Sequence, residues 1–209
     1  MSLQDALQWR YAAKRMNGQP VDAGKIDAIL NAARLAPTSM GLQPFTIFVI
    51  TDPVLKEKVR EVAYRQPQVT EASHLLIFAA WTDLEERQVD EYLADIMNTR
   101  GVSAESLAAF RRSMMGFVQR STQAEKQEWA ARQCYISFAF AMAEAALLQV
   151  DSTPMEGFDQ QALDDLLGLS GLGLTSVTLL PLGYRDTEND ILADVKKVRR
   201  AADKLFVYL

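Results

Sequence analysis

Basic side chains stand near both ends of a chain whose net charge is −5. They are Arg10, Lys14 and Arg15 near the start, and Lys196, Lys197, Arg199 and Arg200 near the end. If folding brings the ends together, these side chains form a pocket for an anion such as a phosphate, to which arginine offers a fork of donors. The alternative, which charge alone favours, is two separate faces in contact with solvent.

Few other residues could carry out chemistry. The only histidine, His74, precedes an apolar segment, where a structural role is more common than a catalytic one. The only cysteine, Cys134, lies in a long apolar stretch, where a thiol is usually inert. Histidine, cysteine and carboxylate residues do not occur together at metal-ligand spacing. The sequence therefore predicts neither a hydrolytic site nor a metal site.

The longest apolar stretch runs from Trp129 to Val150 and predicts the helix around which the fold is built. Apolar residues lie on nearly every side of it, which is typical of a helix buried all round. Glu144 and flanking polar residues interrupt it too much for a membrane span. One sheet can cover one flank, so a second copy of the chain is expected to cover the other. A helix enclosed within one monomer is the alternative.

The remaining pattern favours an α+β fold. Helix starts are predicted at the N-cap residues Ser2, Asp22, Asp52, Ser103 and Asp159. Strand-like runs cover 45–51, 75–81, 152–155, 175–182 and 205–209. Single regular helices do not separate these strands, which argues against a doubly wound sheet. Pro181 is expected at a sheet edge or a bulge, and the last run, Leu205–Leu209, has no obvious hairpin partner.

Composition limits the classes of protein. With 209 residues, 49% of them hydrophobic, and no linker-like segment, the chain is expected to form one domain, 1–209. The net negative charge speaks against nucleic acid or an anionic membrane as a partner. One cysteine allows no disulfide framework, and the N-terminus lacks the pattern of a signal peptide, so we expect a cytoplasmic protein.

Five motifs along nearly the whole chain carry a resemblance. They are Arg10-Tyr-Ala-Ala-Lys14, Pro37-Thr-Ser39 with Gln43-Pro44, Glu128-Trp129 with Gln133, Thr153-Pro-Met-Glu-Gly-Phe158, and Gly183-Tyr-Arg with Lys197-Val-Arg199. In this order and spacing they resemble the motifs of the FMN-dependent nitroreductase family. The resemblance implies a three-layer sandwich with a central, mostly antiparallel sheet flanked by helices. It also implies a homodimer with the long helix at its interface and a C-terminal strand exchanged with the partner subunit.

The resemblance further implies an FMN site. Side chains that would hold the FMN phosphate and the N1–O2 edge of the ring are Arg10, Lys14, Lys197 and Arg199. Main chain along the phosphate and ribityl region would come from Tyr11 and Ala12, with the Gln133 side chain reaching the ribityl chain. Residues closing over the flavin from the second subunit would be Pro37, Thr38 and Ser39. One ring face would be lined by Pro154, Met155, Glu156 and Gly157, with the backbone N–H of Glu156 donating to N5.

The sequence departs from the family pattern at four cofactor-binding positions, Ala12, Gly41, Arg65 and Gln68. Many relatives have serine where Ala12 stands and asparagine where Gly41 stands, so two side-chain hydrogen-bond partners are lost. Arg65 and Gln68 occupy positions at which relatives present asparagine and lysine or glutamine to the pyrimidine edge. Around 110–117, where the family shapes its substrate pocket, methionine and phenylalanine predict an apolar, adaptable lid.

The activity implied is transfer of hydride from NAD(P)H, as co-substrate, through FMN to a nitroaromatic, a quinone or a similar small electrophile, with ping-pong kinetics. No catalytic side chain is expected, because the flavin carries the chemistry. Three alternatives remain at this point: a flavin-binding sensor or store without turnover, a flavin-dependent dehalogenase or pteridine reductase on the same fold, and a colourless helical dimerisation module.

Overall fold

The computed structural model describes residues Met1–Leu209. Nine α-helices are present: α1 Leu3–Trp9, α2 Ala23–Leu35, α3 Pro53–Val62, α4 Gln68–Glu71, α5 Glu86–Arg100, α6 Ala104–Arg120, α7 Gln123–Leu147, α8 Gln160–Leu167 and α9 Ala202–Leu205. Four strands are present: β1 Phe45–Ile50, β2 His74–Trp81, β3 Asp151–Ser152 and β4 Leu174–Gly183. Short 3₁₀ turns cover Ser39–Gly41 and Leu169–Leu172.

Local sequence signals set most of the helix ends. At each of the five predicted N-caps the side chain accepts a hydrogen bond from a backbone N–H of the first turn, which confirms the predicted starts. Helix α5 ends where Gly101 adopts a left-handed conformation, φ 65°. None of the helices is both long enough and apolar enough to cross a membrane.

The sheet has the strand order β1-β2-β4-β3, and every neighbouring pair is antiparallel. Alternate residues of β2 face opposite layers, as the two-residue period of a strand requires. Leu76 and Phe78 pack with α2 and α7 on one face. Leu75 and Ile77 pack with α3 and α8 on the other. The predicted three-layer α+β sandwich is thereby confirmed.

Two strand predictions need correction. Pro181 lies neither at an edge nor at the bulge, which falls between Phe78 and Ala79; it pairs with Leu75 inside the sheet. Its carbonyl accepts from the N–H of Thr153 at 3.1 Å. Since N and O of one strand residue point to the same side, the missing N–H faces the short β3 and removes no bond to β2. The strand predicted at 152–155 is shorter than expected, because β3 covers only Asp151–Ser152. Met155 adds one isolated bridge to Leu179.

The C-terminal strand is not formed within one chain. Leu205 ends helix α9, and Phe206 to Leu209 are exposed and pair with no strand of the same chain. Helix α7 is also not covered on every side within one chain, since Tyr135 and Phe140 are 39% and 43% exposed. Strand exchange and the dimer therefore stay predictions.

Candidate functional site

The two ends of the chain meet around a cavity of about 700 Å³. Its lining includes the basic side chains of Arg10, Arg185, Lys197 and Arg199, the aromatic rings of Trp9 and Tyr11, and Ala12 and Pro154. The remainder of the wall comes from Gln8 and from residues 192–196. The alternative of two separate solvated faces is thus not what the fold adopts.

Backbone pairing fastens the start of the chain to its last strand. Met16 forms an antiparallel bridge with Arg185. On either side of it, the N–H of Asn17 donates to the carbonyl of Tyr184 at 2.9 Å, and that of Asp186 donates to the carbonyl of Arg15 at 3.1 Å. These bonds place the end of α1 beside the segment that follows β4, which is where the cavity opens.

Asp190 holds the loop after α1 in place. Its carboxylate accepts from the hydroxyl of Tyr11 at 3.0 Å, from the N–H of Lys14 at 2.7 Å and from the N–H of Leu192 at 2.9 Å. Burial raises the pKa of Asp190, but these hydrogen bonds outweigh it and leave the pKa below the ordinary value. The ionised carboxylate therefore stabilises the fold around the cavity.

Replacing Asp190 with alanine is expected to lower the free energy of unfolding by about 1–3 kcal/mol at pH 7, because buried donors lose their acceptor. A depressed folded pKa contributes stability above the unfolded value and loses it on acidification, so the difference from wild type should shrink below about pH 4. Urea unfolding at pH 7 and at pH 3.5 measures both effects. Asp27→Ala, an exposed position on α2, is the control. Equal stability of the Asp190 variant and wild type at pH 7 would contradict this role.

Arg185 forms one rigid wall of the cavity. Its Nε and Nη2 donate to the carboxylate of buried Asp151 at 2.6–3.0 Å. The guanidinium also lies over the rings of Trp9 and Tyr11, with distances of 4.2 and 4.6 Å to their centroids. The residue stood within the Gly183-Tyr-Arg motif, but the sequence did not reveal its place in the site, because its partners are distant in the chain.

Arg10 carries donors that find no acceptor within the chain. Its Nε and Nη2 are buried and have no hydrogen-bond partner. Burial lowers the pKa of Arg10, as does the charge of Arg199, whereas Asp151 raises it. Buried donors without acceptors and buried charge without a partner both cost free energy. An anion in this cavity would satisfy both.

Lys197 lies at the cavity, but its ammonium group is engaged elsewhere. Its Nζ donates to the carbonyls of Leu7, Gln8 and Arg10 at 2.5, 3.1 and 2.6 Å. An ammonium has three donors, so none remains for a ligand. These carbonyls belong to the end of α1, and Lys197 therefore caps that helix. Its contact with the FMN phosphate and the N1–O2 edge of the ring stays a prediction, while within the chain its ammonium group holds the end of α1.

Lys14 takes part differently from the prediction as well. Its backbone N–H binds Asp190, but Lys14 does not line the cavity. Arg199 does line it, and one of its donors bonds only the neighbouring carbonyl of Val198. Of the four basic residues predicted to hold the FMN phosphate and the N1–O2 edge of the ring, Arg10 and Arg199 line the cavity with guanidinium donors that are not all bonded within the chain.

A second group of predicted residues lies together around Gln133, near the middle of α7. The Oε1 atom of Gln133 accepts from the N–H of Ser39 at 2.8 Å, and its Nε2 donates to the carbonyl of Trp129 at 3.1 Å. Gln133 is buried and orders the loop that contains Pro37 and Thr38. In this chain its side chain is thus bound to that loop rather than free to reach a ribityl chain.

Gly41 has a steric reason for departing from the family pattern. Its φ is +73°, a conformation that favours glycine. A Cβ atom at this position would overlap the hydroxyl of Tyr92. Asparagine could therefore stand here only if the ring of Tyr92 moved.

A third group surrounds Met155–Gly157. Met155 exchanges two 3.0 Å backbone hydrogen bonds with Leu179. Glu156 accepts from the hydroxyl of Tyr135, and the carbonyl of Gly157 accepts from Nε2 of Gln66 at 2.7 Å. The backbone N–H of Glu156 donates to no group of the chain. This group joins the cavity through Pro154.

Gln68 and Arg65, the two remaining positions that depart from the family pattern, lie in different environments. Gln68 is buried beside this third group, where its Nε2 bonds Gln66 at 3.1 Å and approaches the sulfur of Met155 at 3.7 Å. Arg65 is exposed and pairs with Glu61 at 3.0 Å on α3. Arg65 therefore belongs to the surface and not to any of the three groups.

His74 and Cys134 have the structural environments expected of them. Burial lowers the pKa of His74, aided by the nearby charge of Lys56, and its Nδ1 lies 2.9 Å from the hydroxyl of Ser73. Burial raises the pKa of the Cys134 thiol to about 12. Within the described chain, no group of histidine, cysteine and carboxylate side chains is arranged to hold a metal ion.

Comparison with known proteins agrees with this geometry. The model of the nitroreductase family matches residues 7–184. A Staphylococcus saprophyticus protein named "Putative NAD(P)H nitroreductase" is 29% identical, over 98% of this chain and 95% of its own. A Staphylococcus epidermidis structure, described as a "putative NAD(P)H:FMN oxidoreductase", has a TM-score of 0.88 and 19% identity, covering 100% of this chain and 96% of that one.

A further structure, from Exiguobacterium sibiricum, is described as a "putative nitroreductase in complex with FMN". Its TM-score is 0.83 at 17% identity, covering 100% of this chain and 98% of that one. The matched region 7–184 includes all four strands of the sheet and the cavity-lining residues 8–12 and Pro154. This chain belongs to the nitroreductase family.

Proposed function

We propose that this chain is an FMN-dependent oxidoreductase that passes hydride from NAD(P)H to a small electrophile such as a nitroaromatic or a quinone. The single observation that carries the proposal is the Arg10 guanidinium, two of whose nitrogens are buried without partners in a basic cavity. A phosphomonoester at the end of the FMN ribityl chain supplies the acceptor oxygens that these donors lack. The names of the relatives, which include NAD(P)H and FMN, support the same activity.

The donor set of the cavity fits FMN. Arg10 and Arg199 would hold the phosphate, while Asp151 and the rings of Trp9 and Tyr11 keep Arg185 fixed beside them. Lys197 would add positive charge near the ligand while it caps α1. The cavity volume of about 700 Å³ lies within the range of cofactor sites, roughly 300–1,000 Å³.

The chain's own contribution to the reaction is position and charge. Bound FMN would supply the centre that accepts and donates hydride. Pro154 leads from the cavity to Met155–Gly157, where the free N–H of Glu156 would donate a hydrogen bond to N5. Cys134, with its raised pKa, and the half-buried His74 do not line the cavity, so acid–base or covalent work by this chain is not part of the proposal.

The same proposal includes a homodimer in which Pro37–Ser39 of one subunit close the flavin site of the other. Within one chain, Ser39 and Gln133 lie in a group of their own and line no part of the basic cavity. A flavin site shared between two subunits requires each chain to carry both parts of the site, here the basic cavity and the loop Pro37–Ser39. The domain 1–209 would thus bind one FMN per chain, at a surface completed by its partner.

The visible spectrum of the purified protein tests the activity. After reconstitution with FMN and gel filtration, we expect a yellow protein whose absorbance is bleached by anaerobic NADH or NADPH and restored by a quinone. Initial rates at several acceptor concentrations should give parallel double-reciprocal lines, the pattern of a ping-pong reaction. A yellow protein that neither nucleotide reduces would favour the sensor or store, and a colourless one would contradict the whole proposal.

A further inference from the structure

We propose that Tyr135 and Gln66 are positioning residues that hold the backbone N–H of Glu156 as a preorganised hydrogen-bond donor. Both act on Met155–Gly157 from elements distant in the sequence, Tyr135 from α7 and Gln66 from the turn between α3 and α4. The inference rests on the proposed function, because it takes that N–H as the donor to the flavin.

Tyr135 holds the segment through the Glu156 side chain. Its hydroxyl donates to the Glu156 carboxylate, and its ring packs edge-on against Phe138 with centroids 6.2 Å apart. Burial and the neighbouring Glu156 raise the pKa of Tyr135 to about 12, so the hydroxyl stays protonated and can donate at neutral pH. A hydrogen bond to an ionised acceptor is roughly twice as strong as a neutral one.

Gln66 holds the next residue through its carbonyl. Its Nε2 donates to Gly157 at 2.7 Å and to Ala63 at 3.1 Å, while its Oε1 accepts from Gln68. The amide is thereby fixed at both ends. The turn that presents it is strained, since Tyr64 and Arg65 have φ values of +54° and +56°. Such conformations cost free energy and persist only where the surroundings impose them.

Both anchors act on the C-terminal side of the Glu156 N–H, which has no partner in the chain. On its other side Met155 is fixed by two backbone bonds to Leu179, and the hydroxyl of Thr178 donates to the Met155 carbonyl at 2.9 Å. A donor held on both sides needs no reorganisation when charge develops opposite it. Loss of either anchor would leave the donor in place on average but less precisely aimed.

The test compares Tyr135→Phe with Tyr64→Phe in the FMN-loaded protein. Tyr64 is 67% exposed near the same segment and its hydroxyl makes no hydrogen bond, so it is the matched control. Tyr135→Phe should leave the FMN Kd within about threefold, because the phosphate contacts are intact. It should slow anaerobic flavin reduction about tenfold, a fraction of the ~10²-fold expected for complete loss of a preorganised donor. It should also shift the flavin reduction potential, and Tyr64→Phe should do neither.

Variants at Glu156 separate positioning from general loosening. Glu156→Ala should match Tyr135→Phe, and the double variant should be no worse than either, since both changes remove one bond. Glu156→Gln keeps an oxygen acceptor and should recover most of the loss. Additive effects, or an unchanged potential and rate in Tyr135→Phe, would overturn the role of Tyr135. Gln66→Ala should give the same pattern as Tyr135→Phe, and wild-type behaviour there would overturn the role of Gln66.

A readout on the flavin-free chain keeps this inference distinct from the proposed function. Amide hydrogen exchange in the peptide containing residues 154–158 should be at least about tenfold faster in Tyr135→Phe than in Tyr64→Phe, as local opening becomes easier. Equal exchange in the two variants would overturn the positioning role even if the wild-type protein is reduced by NAD(P)H. Failure of the wild type to bind FMN would instead overturn the proposed function.

Discussion

Replacing Arg10 with alanine is expected to weaken FMN binding by about a hundred-fold or more. The variant loses the two buried donors that have no partner within the chain. Each charge-assisted hydrogen bond to phosphate is worth about 1.5–3 kcal/mol, so two of them correspond to about two factors of ten or more in Kd. Titration of the flavin-free protein with FMN, followed by quenching of flavin fluorescence, measures the effect.

Arg200→Ala is the matched control for charge without contact. Arg200 is exposed beside Arg199, but it does not line the cavity, and its guanidinium donates to the carbonyl of Lys204. Removing it deletes one positive charge, as Arg10→Ala does, from the residue next to the cavity-lining Arg199. We expect a change in Kd of less than about threefold, because exposed charges are screened. Similar losses in both variants would mean that general charge, not the Arg10 site, retains the flavin, and wild-type affinity in Arg10→Ala would contradict the assigned phosphate pocket.

Riboflavin, which lacks the phosphate, gives a second check on the same variant. Its affinity should be low in the wild type and nearly unchanged by Arg10→Ala, since the lost contact is to the phosphate. A large effect of Arg10→Ala on riboflavin as well would indicate that the substitution disturbs the fold around α1, and unfolding of the variant by urea would detect this.

Helix positions were predictable from the sequence because their causes are local. A capping side chain such as Asp52 contacts a backbone N–H only three residues away, so one window of sequence contains both partners. Strands β2 and β4 were predictable for a similar reason, as their apolar runs record burial on both faces. The similar run of β1 forms an edge strand, on which Val49 is exposed. The prediction about Pro181 was wrong because an edge position depends on which strand lies beside it, and that information is not local.

The site was predictable in its charge but less so in its contacts. Basic residues at both chain ends indicated an anion pocket, and the fold brings them together. Which of these basic residues donates a hydrogen bond into the pocket depends on the carbonyl groups at the end of α1. These carbonyls accept from all three donors of Lys197, whereas Nε and Nη2 of Arg10 have no partner within the chain. The network of Gln66, Tyr135 and Glu156 joins three distant segments, and no single stretch of sequence reveals it.

In a homodimer, the exposed C-terminal tail of one chain is expected to pair with the open edge of the sheet of the other chain. Strand β1 pairs only with β2, so its outer edge carries unpaired backbone groups. Phe206 to Leu209 are apolar, exposed and outside any strand of their own chain, and Phe206 already has extended backbone angles, φ −110° and ψ 130°. Natural proteins seldom leave an open edge and an apolar segment uncovered. Tyr135 and Phe140 of α7 add further apolar surface for a partner.

Deleting Phe206–Leu209 should therefore convert the expected dimer largely to monomer and lower the FMN content of the purified protein several-fold, because the proposed flavin site includes Pro37–Ser39 of the second subunit. Sedimentation equilibrium and the ratio of flavin to protein absorbance measure the two effects. A variant with four threonines in place of Phe206–Leu209 separates the causes, since it keeps a strand-forming backbone and removes the apolar side chains. If backbone pairing dominates, it should remain partly dimeric and retain more flavin than the truncated chain. A truncated protein that still sediments as a dimer with full FMN would show that the tail does not hold the subunits together, and a monomer with full FMN would show that the site lies within one chain.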